Sequence, residues 1–177
     1  MKKLLYVFGL ITACTAFAAA QDKGTIETGV YFPALSSPIF GTWAKVTAPS
    51  LESGFYGDYY FQKNISIGAE FAYYFGYATI ASDDSITGFR LCPQFKYGGD
   101  TILFGRNGHY YSVLGMGVYH DSLDGNGDTN FGFSLGEGLK VDMGKGWDVG
   151  LEARWHHVFS DPAGNNLDLL PNASYRF

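Results

Sequence analysis

Basic charge is scarce in this chain. Twelve Lys and Arg stand against seventeen Asp and Glu, a formal net charge of −5, and that sign opposes the gripping of nucleic-acid phosphate. Charge of either sign is scarce too, at 16% of residues, against about 25% in an ordinary soluble domain. So low a charge excludes a polyelectrolyte tail or a disordered charged linker. Cysteine is nearly absent: Cys14 and Cys92 are the two in 177 residues. Neither a Cys-x-x-Cys pair nor a zinc spacing occurs, so no disulfide framework, metal or cofactor is expected. Long apolar runs are missing as well, and the mean hydropathy of −0.03 is far below that of a helical membrane bundle.

The single apolar run opens the chain. Lys2 and Lys3 precede Leu4 to Ile11, and Ala18-Ala19-Ala20 follows. A basic start, a short apolar core and a small-residue site form the pattern of an export signal. The stretch is shorter than the ~20 residues of a spanning helix. Cleavage is expected after Ala20, giving a signal peptide at 1–20 and a single β-barrel domain at 21–177, with 10 basic against 17 acidic side chains. Ile11-Thr12-Ala13-Cys14 loosely resembles a lipoprotein box, but the later Ala-rich site fits better. On this reading Cys14 leaves with the signal, and Cys92 remains as a small filler.

What the chain has in abundance is aromatic residues, 18% of the total, and 24 glycines. Their arrangement has a period of two. In 65–77, Ile65, Ile67, Ala69, Phe71, Tyr73, Phe75 and Tyr77 alternate with Ser66, Gly68, Glu70, Ala72, Tyr74 and Gly76. A helix would scatter the first set over every face, whereas a strand gathers it on one. The same alternation runs through 25–32, 51–61, 87–97, 109–120, 131–141, 147–159 and 167–177. In 131–141 it leaves Glu137 on the apolar face unless a bulge beside Gly136 or Gly138 moves it, and both placements stay open. Polar segments at 33–49, 78–86, 120–130 and 160–166 read as loops at one end. Residues 62–64 and 142–146 read as tight turns at the other, and 98–108 as a longer connection there. Eight strands of about ten residues, long enough to cross a bilayer when tilted, predict an all-β, eight-stranded antiparallel up-and-down transmembrane β-barrel.

A soluble lipocalin-like barrel or sandwich would share the alternation with its apolar face turned inward. Three features favour the inverse. The second face carries Gly, Ser and both signs of charge: Glu27, Glu52, Glu70 and Glu152 with Arg90, Lys96, Lys140 and Arg154 form a candidate lumen cluster, because buried charges need partners. Aromatics gather at strand ends, as bilayer interfaces select. One band comprises Phe32, Phe75, Tyr77, Tyr119, Trp155 and Phe159; the other comprises Tyr59, Phe61, Phe95, Tyr97, Tyr110, Trp147, Tyr175 and Phe177. Finally, the chain ends Ala173-Ser174-Tyr175-Arg176-Phe177.

That ending resembles the C-terminal signature of bacterial outer-membrane barrels. Asn130 to Leu139, and Gly146-Trp147 through Arg154-Trp155-His156-His157, are similar to the last hairpins of the small outer-membrane barrel superfamily, which includes opacity-type and outer-membrane-protein-A-type domains. The resemblance spans 24–177. It implies a porin-like transmembrane strand architecture in the outer membrane of a Gram-negative bacterium. Tyr175 and Phe177 would be an assembly signal for the barrel-assembly machinery, and outer-membrane lipid and lipopolysaccharide would be the surroundings of a monomer. It specifies activity poorly, since the fold hosts adhesins, tethers, small porins and enzymes.

Outer-membrane lipid A deacylases resemble this architecture and use a His with a Ser two residues on, plus an acid. Here Val158 follows His156 by two and Phe159 follows His157 by two; Ser160 falls on the opposite parity. His120 and Ser122 have the spacing on an earlier strand, where Glu137 could join them. The simpler reading makes these histidines polar residues of the outer rim. Asp124-Gly125-Asn126-Gly127-Asp128 alternates oxygen ligands, but Thr129 and Leu135 stand where a calcium loop needs Gly and Glu, so a solvated hairpin tip is expected. An eight-stranded interior is narrow enough for side chains to fill. The expected role is structural or surface-interacting, carried by the loops, with no open pore and no enzymatic activity. The alternatives are a lipid A acyl hydrolase and a narrow solute channel.

Overall fold

The computed structural model describes residues 23–38, 50–77, 85–123, 126–160 and 164–177. The expected signal segment, its cleavage site and much of the loop sequence lie outside these residues. Eight strands follow one another around a closed antiparallel barrel: β1 (Ile26–Pro38), β2 (Ser50–Gln62), β3 (Ile65–Tyr77), β4 (Ser85–Leu103), β5 (Arg106–Leu123), β6 (Asn126–Gly144), β7 (Trp147–Val158) and β8 (Gly164–Arg176). The pairing of β1 with β8 closes it, Glu27 lying opposite Arg176 and Val30 opposite Ala173.

The alternation lands as an apolar outside and a polar inside. Val30, Phe55, Phe71, Leu91 and Val118 occupy successive paired positions across β1 to β5 and form an outward belt. Leu91 and Leu151 are each 52% exposed, whereas Arg154 and Glu152 on the opposite face of β7 are fully buried. A water-soluble container has the reverse polarity. No bulge interrupts β5 and β6 at Glu137, which pairs with Ser112 and lies on the outward, apolar face.

The strands outrun the expected ones at both ends. At the loop end, β1 continues to Pro38, β5 to Leu123 and β6 begins at Asn126, so most of the expected 120–130 loop is ladder. At the turn end, 98–108 is no irregular connection: β4 and β5 stay paired from Gly98↔Tyr111 to Leu103↔Arg106. Alternation fades there because the hairpin runs past its neighbours. β3 pairs with β4 only as far as Ile65↔Tyr97; Asp100 is still buried beside His109, but toward the tip Ile102 and Phe104 are exposed and have no inside to encode. The turns at 62–64 and 142–146 are tight as expected, with Asn64, Gly144, Lys145 and Gly146 at positive φ.

The tip of the β4–β5 hairpin is a two-residue turn in which Phe104 (φ 53°) and Gly105 (φ 73°) are both left-handed. Asn or Gly suits its first position; a bulky side chain there is strained. Phe104 is moreover 96% exposed and gains no packing in return. Replacing Phe104 with Asn is expected to stabilise the barrel by about 1 kcal/mol, read as a higher urea midpoint at unchanged slope. A lower midpoint would mean that Phe104 packs in the folded protein.

Candidate functional site

Parity turns one residue of every alternate pair into the lumen, many of them polar, and the barrel is narrow enough for these to meet. Near the turn end, Glu27 pairs with Lys140 and accepts hydrogen bonds from the Tyr56 hydroxyl at 3.0 Å and the Tyr60 hydroxyl at 3.4 Å. Lys96 lies 2.7 Å from Asp58, which also accepts from Gln94 Nε2 at 3.0 Å. The Lys96 ammonium sits 4.0 Å from the centre of the Tyr56 ring, and Lys140 sits 4.9 Å from that of Tyr111. The electron-rich ring faces replace part of the water these cations have lost.

A second layer lies toward the loop end. Arg90 donates from Nε to Glu70 at 2.9 Å, and from Nη1 to Glu52 at 2.7 Å and Asp168 at 2.8 Å. Arg154 pairs with Glu70 and Glu152 and donates from Nη2 to the Tyr31 hydroxyl at 3.2 Å and to Gln94 Oε1 at 3.3 Å. Gln94 therefore ties the two layers together. Tyr111 donates to Glu152 at 2.8 Å. The planar, multi-donor guanidinium is the group that can serve several carboxylates at once. Gly29 and Gly138 make room for the tyrosines: a Cβ at Gly29 would stand 2.3 Å from Tyr56 Cζ, and one at Gly138 would stand 2.2 Å from Tyr111 Cζ.

All the residues of the expected lumen cluster, Glu27, Glu52, Glu70, Arg90, Lys96, Lys140, Glu152 and Arg154, are buried inside the barrel and ion-paired. The expectation omitted Asp58, Asp168, Gln94, His156 and the inward tyrosines, although their parity places them on the same face. Tyr119 was expected in the outer aromatic band but turns into the lumen, with its hydroxyl 2.9 Å from His156 Nδ1. Its outward neighbours on β5 are Val118 and His120. His156 likewise is no rim residue: it is buried, with Nε2 2.9 Å from Asp168. His120 and His157 do face outward near the loop end. His120 lies 2.8 Å from Thr129 Oγ1 and packs tilted against Phe89; His157 lies 3.0 Å from Asn165 Oδ1 and packs against Phe133. Cys92 is buried beside Tyr119 and Val158. The side chain of Tyr77 and the residues Asp124 and Gly125 fall outside the description. Among the described residues, no group of three or more His, Cys, Asp or Glu is placed to hold a metal ion.

At the turn end, Tyr175 packs edge-on against both Trp147 and Phe177, and the Phe177 amide donates to the Ile26 carbonyl at 2.9 Å. The terminal segment is thus a full member of the ladder.

This architecture is shared. Over 90% of this chain and 100% of the other, it superposes on Neisserial surface protein A with a TM-score of 0.61 at 13% identity. The chain has the fold of the small outer-membrane β-barrels. The N-terminal barrel domain of Pseudomonas aeruginosa OprF matches with a TM-score of 0.58 at 12% identity, over 89% of this chain and all 100% of that one. Ail, the attachment invasion locus protein of Yersinia pestis, matches at 0.51 and 15%, over 88% of this chain and 99% of its own. Ail is also known in complex with the heparin analogue sucrose octasulfate. No protein-family model matches the sequence, and no curated protein does.

In a small outer-membrane-type barrel the interior must hold itself together without water. Replacing Arg154 with Met leaves Glu70 and Glu152 short of a buried partner, and is expected to cost about 3–5 kcal/mol in urea unfolding followed by tryptophan fluorescence. Replacing the exposed Lys63 is expected to stay within about 0.5 kcal/mol.

Proposed function

We propose that the chain is an outer-membrane anchor with a sealed lumen, and that its interactions are made by the loops at the end opposite its termini. The observation that carries the reading is the pairing of an outward apolar belt with an interior closed by ion pairs. Arg154, Lys96 and Lys140 are among the fully buried side chains that fill it, and a lumen filled by mutually bonded side chains leaves no continuous water path. The likeness in fold to barrels from the outer membranes of other bacteria supports the location, with the loop end facing outward and Tyr175 and Phe177 read by the barrel-assembly machinery. Lipid and lipopolysaccharide would surround the belt.

The loop sequences indicate the chemistry of a partner. Asp83, Asp84, Asp124 and Asp161 lie in the loop segments and Asp121 and Asp128 at the loop ends of β5 and β6, against Lys45 alone among Lys and Arg. Such a field attracts cationic groups and repels polyanions, unlike the sulfated ligand carried by Ail. A cationic protein surface, or divalent cations bridging to lipopolysaccharide phosphate, fits it. Catalysis forms no part of this reading, since His120 is engaged by Thr129, His157 by Asn165, and His156 is enclosed in the lumen network.

Two outcomes are expected. The membrane fraction should contain a form that migrates differently on a gel before and after boiling, and planar bilayers should show no unitary conductance; steady channel openings would replace the anchor with a pore. Changing Asp83, Asp84, Asp124 and Asp161 together to Asn should weaken binding of oligolysine to the reconstituted chain by about tenfold at low salt. Unchanged binding would move the interaction away from the loops.

A further inference from the structure

Glu137 stands on the wall that faces hydrocarbon. On β6 it follows Phe131, Phe133 and Leu135 and precedes Leu139 and Val141 on the outward face, midway between the aromatic bands. Among the described outward residues between those bands it is the only carboxyl, and no Lys or Arg accompanies it. The Ser112 hydroxyl donates to Oε1 at 2.8 Å; Oε2 has no partner among the described residues. An acidic group at that depth is costly unless something hydrogen-bonds to it, and one that persists marks an interaction.

We propose that Glu137 is the centre of a lateral interface with a second copy of this chain, the two Glu137 side chains meeting as neutral carboxylic acids, each O–H donating to the other's carboxyl oxygen across a two-fold axis parallel to the barrel. This replaces the monomer expected from the sequence. Lipid tails offer neither donor nor acceptor. A second copy carries the matching group at the same depth in the bilayer, and a two-fold contact sets like residues against each other. The surroundings suit close approach. On the same rung, Ser112 on β5 and Ala153 on β7 flank Glu137, and small side chains let two membrane walls come within hydrogen-bonding range. The rungs on either side carry Leu114, Leu135, Leu139 and Leu151, all exposed. These would rim the polar pair and keep it dry, as the periphery of an interface does for its central contact. The opposite wall, on β1 to β3, has no such group: Val30, Phe55 and Phe71 occupy its middle.

The inference rests on the membrane reading, which the gel shift and membrane partitioning test separately. The association itself is tested with the full chain in phosphatidylcholine vesicles, by energy transfer between labels on a cysteine introduced at Lys63, as lipid is added. The parent chain should associate above the level of random proximity. E137L should weaken association by about tenfold, the size of one or two hydrogen bonds made in lipid, whereas E137Q, whose carboxamides can also pair, should stay within about threefold. Transfer no greater than random for the parent, or equal association by E137L, overturns the proposal. A second measurement does not depend on the Glu137 variants folding. Cysteine placed at Ala153, one strand off the proposed axis, should be joined between copies by a short bifunctional maleimide and cysteine at Phe55 should not; equal or reversed yields overturn the proposal as well.

Discussion

A guanidinium buried in a protein must find carboxylates or unfold it, and Arg90 and Arg154 find theirs on strands far apart in the chain. Arg90 on β4 meets Glu52 on β2, Glu70 on β3 and Asp168 on β8; Arg154 on β7 reaches back to Glu70. These contacts exist only when the barrel is closed, so compensation of lumen charge and closure of the sheet are one event. The outside follows from the same constraint. Since inward positions of every strand feed this network, the alternate positions must face outward, and most of them are apolar or aromatic. The network includes more carboxylates than fixed cations, with Glu27, Glu52, Asp58, Glu70, Glu152 and Asp168 against Arg90, Lys96, Lys140 and Arg154. Donors from Tyr56, Tyr60, Tyr111 and Gln94 make up much of the difference, which accounts for tyrosines in an interior that hydrocarbon never touches.

Much of this was legible in the residues because the period of a strand is short and unforgiving. Once Ile67, Phe71 and Phe75 are assigned outward, Glu70 and Tyr74 have nowhere to go but in. Parity outranks every other rule on a strand. Tyr119 was grouped with an interface band because it is aromatic, yet it sits between Val118 and His120, which already occupy the outward side. His156 and His157 both look like rim residues by type, but adjacent strand residues cannot share a face, and His156 turns inward. The 98–108 hairpin was missed for a different reason. Past Asp100 and His109, which still turn inward, both faces of the ladder meet solvent and alternation carries no information; what marks the hairpin is the left-handed pair Phe104-Gly105, with Phe in place of the residue that usually announces such a turn.

The wall and the loops divide the labour of the molecule. In the proposed reading the wall supplies rigidity and residence in the bilayer, and the acidic loops supply the interaction. Identities near 13% with Neisserial surface protein A are compatible with this division. The lumen needs only mutual compensation and the wall needs only apolarity, and many sequences satisfy both. Glu137 is the exception on the wall, and the feature least explained by residence in lipid alone.

Residence in lipid depends on the orientation of alternate residues relative to the bilayer. Spin labels placed singly from Val149 to Trp155 along β7, in the chain reconstituted in lipid, measure it directly through collision with oxygen and with a water-soluble nickel reagent. Labels at Val149, Leu151, Ala153 and Trp155 are predicted to meet oxygen freely and nickel hardly at all, while labels at Gly150, Glu152 and Arg154 meet neither. Strong nickel contact at the Val149–Trp155 set, or oxygen contact at the intervening set, would contradict it.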